Sequence, residues 1–246
     1  MERFRAIAIP VGIFALLALI LIGLTRMQDR PQWADDAPTP PTAVVQPVAF
    51  QGPTPVPTPH NPWEELAVRR VAVKDPIAAK IVAAARAQEG DTYEPSYQSI
   101  SYPNGDVPQG SGACTDVIVR ALRGADIDLQ KLVHQDMKRN FRAYGDHWNL
   151  GRTDKNIDHR RVPNLMTFFA KHGQSLPLST NKADLKNWKP GDVITWKLPN
   201  NANHIGVVSN GIGARGLPLV IHNAERCIEQ DYLDEWPVTG HYRYPK

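Results

Sequence analysis

Cys114 sits in the stretch SGACTDVIVRALRG, residues 111–124, directly after Gly112-Ala113 and at the first position of an amphipathic run. A thiol there has two readings. It is a small core filler, since cysteine is among the most buried residue types. Or it is a nucleophile whose thiolate is favoured by the positive end of a helix. Two imidazoles give the second reading a partner set. The segments HIGVV (204–208) and PLVIH (218–222) flank a loop carrying Gly211, Gly213 and Gly216, which predicts an antiparallel hairpin. With a symmetric loop, 204 pairs with 222, 206 with 220 and 208 with 218, so His204 and His222 become neighbours on one face. His204 is then the general base for Cys114, and His222 orients it through the other ring nitrogen. The Cys114 N–H supplies one oxyanion donor. Asn223 competes with His222, but strand alternation puts it on the opposite face.

A second dense polar cluster, DKNIDHRR, spans residues 154–161. It has no helical or strand period. Asp158, His159, Arg160 and Arg161 are either a substrate-binding wall, with the two arginines gripping carboxylates, or a solvated loop held by its own ion pairs. Asp158, His159, His204 and His222 do not form a compact metal-ligand motif, and the chemistry calls for no cofactor and no metal. Cys227 lies five residues after His222. It is either a partner for Cys114 in an inactivating disulfide or a buried, inert thiol. His134, His147, His172 and His241 carry no partner signal.

These residues need elements to hold them. DPIAAKIVAAARAQEG predicts a helix with Asp75 as N-cap, Pro76 at its first position and Gly90 beyond its end. Cys114 to Arg123 is a second helix, with Val117, Ile118, Ala121 and Leu122 on its apolar face. Leu129, Leu132, Val133 and Met137 suggest a third. VPNLMTFFAKHG is a fourth, stopped by Gly173. Strands follow: a KPGD turn (189–192) into DVITWKL, then 204–208, 218–222 and PVTGHYRY (237–244). Helices first and strands last indicate an α+β fold in which N-terminal helices pack on an antiparallel sheet.

The motifs GACTDVIVRAL…DLQ, WKPGDVITW, NHIGVVS and LVIHN resemble the NlpC-type branch of the papain-like cysteine peptidases, in that order over about residues 105–224. GACTDVIVRALRGADIDLQKLVHQDM, NIDHRRVPNLMTFFAKHG and TGHYRY resemble, more closely, the bacterial domain of unknown function 1287 family within that superfamily. This likeness covers nearly all of residues 76–246. The resemblance implies a papain-like fold. It implies Cys114 as nucleophile, His204 as base and His222 as third polar residue. It also implies an amide bond, commonly in peptidoglycan peptides, as the target, and it favours the substrate-wall reading of residues 158–161. AERCIEQ (224–230) departs from the family, which usually has a Gly-rich turn there.

The remaining chain bounds where such a domain would work. Ala6 to Thr25 is twenty residues without a charge, about the length that spans a bilayer. No small-x-small site follows, so residues 1–30 read as an uncleaved signal anchor rather than a cleaved signal peptide. The short N-terminal tail favours an inside N-terminus, with the C-terminal domain in the periplasm or extracytoplasmic space. Residues 31–62 hold ten prolines. They read as a stiff polyproline-II-like tether, at most on the order of 100 Å long at about 3.1 Å per residue. Residues 63–246 form the hydrolase domain. The net charge is +3, too small and too dispersed to argue for nucleic acid. Two functions from other classes remain: an acyltransferase of the same superfamily, acting on lipid or peptide, and a non-catalytic cell-wall-binding module.

Overall fold

The structure of the protein, a computed structural model, describes residues 68–147 and 150–246. The expected membrane span at residues 6–25, the Pro-rich linker at 31–62 and the first residues of the domain lie outside them. No helix among the described residues is long and apolar enough to cross a membrane.

The elements run β1 (Arg69–Arg70), α1 (Pro76–Arg86), β2 (Thr92–Tyr93), β3 (Ser111–Gly112), α2 (Cys114–Arg123) and α3 (Leu129–Tyr144). A 3-10 turn (Asp158–Arg160), α4 (Val162–His172), β4 (Gln174–Ser175) and a second 3-10 turn (Lys182–Asn187) follow. The chain ends in β5 (Val193–Lys197), β6 (Asn203–Ile212), β7 (Pro218–Asn223), β8 (Cys227–Gln230) and β9 (Val238–Arg243). This is an α+β fold with helices first and an antiparallel sheet last. The sheet runs β4-β9-β5-β6-β7-β8, with β1 on the far end of β6. A short parallel pair, β2–β3, is joined to the head of β8 by a Thr92–Arg226 bridge.

The local signals explain the helix ends. The Asp75 carboxylate accepts from the Ile77 and Ala78 N–H groups at 2.8 and 3.3 Å, satisfying donors that a helix start leaves open. Pro76 occupies the first turn, where its missing N–H costs nothing. Helix α2 has the expected bounds, but its surroundings differ from expectation. It is buried all round from Cys114 to Leu122, because α1, α3, the Asp158–Arg160 turn and the sheet enclose it. Helix α3 runs past Met137 to Tyr144 and kinks at Asn140. The Asn140 side-chain amide donates back to the Asp136 carbonyl there, the kind of insertion that bends a helix.

Both faces of the sheet are covered. Ile205, Val207 and Ile221 pack with Cys114, Val117 and Ile118 on the helical side. Ile194, Trp196, Val208 and Val220 pack with Trp188 and Leu233 on the other. The β6–β7 register differs from the symmetric hairpin. Val207 faces Ile221 and Val208 faces Val220, with an irregularity before Ile212 faces Pro218. The pairing is therefore displaced by two residues. A two-residue displacement keeps every side chain on its face, whereas a one-residue slip would invert them all.

Gly206 is required by this packing. A Cβ there would lie 2.7 Å from Val220 Cγ1 and 3.1 Å from the Trp196 ring. Gly206→Ala is expected to lower stability by about 1–3 kcal/mol through overpacking, read as an earlier urea midpoint with an unchanged slope. An unchanged midpoint would show that Trp196 yields freely.

Candidate active site

The start of α2 is a built corner. Ala113 N–H donates to Asp116 Oδ2 at 2.6 Å, so the carboxylate caps the turn that carries Cys114. Arg160 closes on that carboxylate as a fork, Nε to Oδ1 and Nη2 to Oδ2, both 2.9 Å. The Arg160 carbonyl accepts from Thr115 Oγ1 at 3.2 Å. Asn223 Nδ2 donates to the Gly112 carbonyl at 3.0 Å, tying the end of β7 to the residues before Cys114. Arg120, one helical turn further, holds the preceding loop. It bridges Asp91 and Asp106 and donates to the carbonyls of Ser111, Val107 and Pro108.

Cys114 is 5% exposed. Backbone N–H groups of Ile205, Thr115 and Cys114 itself surround its sulfur and favour thiolate, but burial outweighs them. Burial and the nearby Asp116 charge push the thiol up to about 12. The depressed thiol expected from a helix N-terminus is therefore corrected. The helix donors are present, but the sulfur has lost its water and lies beside an anion. The Ile205 N–H contact puts the thiol against the residue next to His204.

His204 and His222 are neighbours, but diagonally and not as the directly opposed pair expected from a symmetric hairpin. His204 Nε2 lies 2.9 Å from His222 Nδ1. His222 Nε2 lies 3.1 Å from Gln230 Oε1. The imidazoles sit in an aromatic box. Trp196 stacks on His204, Tyr232 stacks on His222, and Trp236 stands edge-on to both. Alternation along β6 places this pair on the Trp196 side of the sheet, while Cys114 packs on the Ile205 side. His204 and Ile205 are consecutive in β6, one on each side. No hydrogen bond joins Cys114 to either histidine among the described residues. Burial pushes His204 down to about 3, helped by His222, and His222 down to about 4. Both rings and the thiol are neutral at pH 7, so no imidazolium stands ready to stabilise a thiolate.

Residues 158–161 are not an open wall. Asp158 and His159 are each 1% exposed, and Arg160 is 7% exposed. Asp158 binds His134 Nδ1 at 2.8 Å and the Asp154 N–H. Burial pushes His159 down to about 3. Arg160 also donates to the Ser96 and Glu94 carbonyls, so its guanidinium is spent inside the fold. Arg160 braces the Cys114 corner, and Asp158 and His159 are buried with it, because the 3-10 turn points inward. Arg161 is half-buried at the head of α4. Asp158 and His159 do not gather with His204 and His222. No group of three or more His, Cys, Asp or Glu that could hold a metal occurs among the described residues. Cys114 and Cys227 share a core cluster and are both free, and burial pushes Cys227 up to about 12 as well. A cavity of about 460 Å³ lies between the start of α1 and the chain end, beside Lys74, Lys189 and Arg243, away from Cys114 and both histidines.

Several contributors escaped the sequence reading. Gln230 belongs to β8, a strand not anticipated in AERCIEQ. Tyr93 pairs with Gly112 across β2–β3, and its phenol is raised by burial and by the neighbouring Cys114 and Asp116. It stands 39% exposed at the rim. Arg120 had a signal: a charge inside VIVRAL, next to the apolar face. His172 and His241 have partners after all, Asp136 and Asp192, and Trp188 of the WKPGD turn stacks on His241 at 3.6 Å.

The buried histidines set an acid limit. His159, His204 and His222 bind protons near pH 6.5 when unfolded, but only at about 3, 3 and 4 when folded. Between those values the unfolded chain holds more protons, so stability falls as pH drops from about 6.5 toward 3. Melting temperature is expected to decline across that window, and His159→Gln should flatten the decline. A flat profile from pH 7 to 4 would mean that these rings are solvated.

Residues 81–244 match the family model described as Domain of unknown function (DUF1287). The chain is 52% identical over 163 residues to the uncharacterized protein YijF of Escherichia coli (strain K12), a stretch covering 65% of this chain and 78% of that protein. Two crystal structures of an N-acetylmuramoyl-L-alanine amidase from Bacteroides uniformis ATCC 8492 align over 68% of this chain and 97% and 98% of theirs. Their identities are 13% and 14%, with TM-scores of 0.40 and 0.39. With two thirds of its length matched by the family model and half of the aligned residues shared with YijF, this chain belongs to the DUF1287 family.

Proposed function

We propose that the protein is a papain-like cysteine hydrolase that cleaves an amide bond in peptidoglycan peptides. Residues 6–25 hold it at the cytoplasmic membrane, with its folded domain on the extracytoplasmic side. One observation carries the reading. The Ile205 N–H stands near the Cys114 sulfur at the head of a buried helix and favours its thiolate, and the adjacent residue, His204, is hydrogen-bonded to His222 at 2.9 Å. Ile205, beside the proposed nucleophile, and His204, the proposed base, are consecutive residues of β6, which is what supports grouping them with His222. The substrate class rests on the family resemblance and on a Pro-rich tether long enough to reach a polymer held off the membrane.

The neutral starting state fixes the order of events. Sγ attacks the carbonyl carbon as its proton passes to His204, giving a tetrahedral oxyanion. The C–N bond then breaks, and His204 returns the proton to the leaving amine, leaving a Cys114 thioester. Water attacks the thioester while His204 takes its proton, and the carboxylic acid departs as the thiol is restored. Burying the centre strengthens each electrostatic contact in these steps.

A second reading has its own observation. A thiol pushed up to about 12 and imidazoles pushed well below 6.5 suit a packed, unreactive corner. That would make the protein a non-catalytic wall-binding module. Incubating the full chain with isolated peptidoglycan and weighing the soluble products separates the two. Fragments whose masses report amide cleavage, made by the wild type and not by Cys114→Ala, are expected. No fragments and a thiol inert to alkylation would select the binding module. No fragments with a thiol that alkylates readily would point to acyl transfer or another amide.

A further inference from the structure

We infer that Gln230 is a positioning residue for this reaction: its Oε1 fixes the tautomers of His222 and His204 and leaves His204 Nδ1 as the base. The inference rests on the hydrolase reading and adds to it the atom that takes the proton. Gln230 turns its Oε1 to His222 Nε2 at 3.1 Å, and in that amide orientation the oxygen accepts and His222 Nε2 carries the hydrogen. A neutral ring has one N–H, which leaves His222 Nδ1 with a lone pair. His204 Nε2, 2.9 Å away, must then be the donor. His204 Nδ1 is left bare. One amide thus sets the proton position two hydrogen bonds away.

Aromatic neighbours line both rings. Trp196 lies 5.7 Å from His204 at 25°, and Tyr232 lies 5.4 Å from His222 at 29°. Trp236 stands perpendicular to both at 5.6 and 5.9 Å. A box of flat faces and edges lies against each imidazole plane. Gln230 reaches the pair because His222 faces Ile228 across β7–β8, which puts Gln230 two residues along on the same side.

The test reads tautomers directly. The full chain is labelled with ¹⁵N-histidine, and the ring nitrogens of His204 and His222 are observed in the wild type, Gln230→Leu and Gln230→Glu. The wild type should show both rings protonated at Nε2. Gln230→Leu removes the acceptor. His222 should shift toward Nδ1–H, which turns His204 to Nδ1–H and occupies its base. Hydrolysis should lose about tenfold or more in kcat with little change in KM, the direction expected when a catalytic imidazole takes the wrong tautomer. Gln230→Glu keeps an acceptor and should restore the wild-type tautomers. A wild-type His222 carrying hydrogen on Nδ1, or tautomers and kcat untouched by Gln230→Leu, would overturn the assignment. The NMR readout does not depend on turnover. Tautomers that behave as stated in a chain that cleaves nothing would support the Gln230 assignment and remove the hydrolase reading.

Discussion

Cys114→Ala is expected to reduce amide cleavage to background, a loss of about 10⁴-fold or more, because removing a covalent nucleophile leaves only binding and oxyanion donors. The fold should survive. The change deletes one sulfur from a cluster that keeps Val117, Ile118, Ile205 and Ile221 around it, a cost of about 1 kcal/mol. Circular dichroism and the melting curve should therefore match the wild type within a few degrees. Activity retained by the alanine variant would sink the thioester route. In the resting enzyme, alkylation of Cys114 should be slow at pH 7 and rise with pH, since burial holds the thiol at about 12. A fast plateau at pH 7 would show that the centre opens in solution.

The largest stability effect is expected at Arg160. Its side chain is 1% exposed and the Asp116 side chain 4%. Arg160→Met leaves the Asp116 carboxylate buried without its partner, which costs about 3–5 kcal/mol. For a domain of this size that lowers Tm by roughly 10 °C. The same change should push the Cys114 thiol further up, because Asp116 already raises it and Arg160 is the cation that offsets the charge. The double variant Arg160→Met with Asp116→Asn should recover most of the stability. The Asn oxygen still accepts from Ala113 N–H, and no charge is left stranded. A Tm change below about 2 °C in Arg160→Met would mean that water enters this corner.

Arg160 also shows how far the sequence could be read. Its type suggested carboxylate binding, and it does bind a carboxylate, but one from its own chain. A sequence carries the chemistry of a side chain without the direction in which it points. The 3-10 turn at residues 158–160 turned three polar residues inward, and no periodicity announced that turn. Cys114 is a similar case. Its place at a helix start was legible from the capping pattern, yet its proton affinity depends on how much water the surrounding helices exclude.

Local rules determined most of the frame. The caps at Asp75 and Gly173, the Pro-Gly turn before β5 and the alternation in β6 and β7 fixed the helices, the main strands and the face shared by His204 and His222. Each depends on contacts within a few residues, so composition and spacing suffice. Tertiary packing decided the rest. It displaced the β6–β7 register by two, brought in β8 with Gln230, set Tyr93 beside the thiol and buried both faces of the sheet. These outcomes depend on partners far apart in the chain, and on the loss of water around them, which no short stretch of sequence specifies.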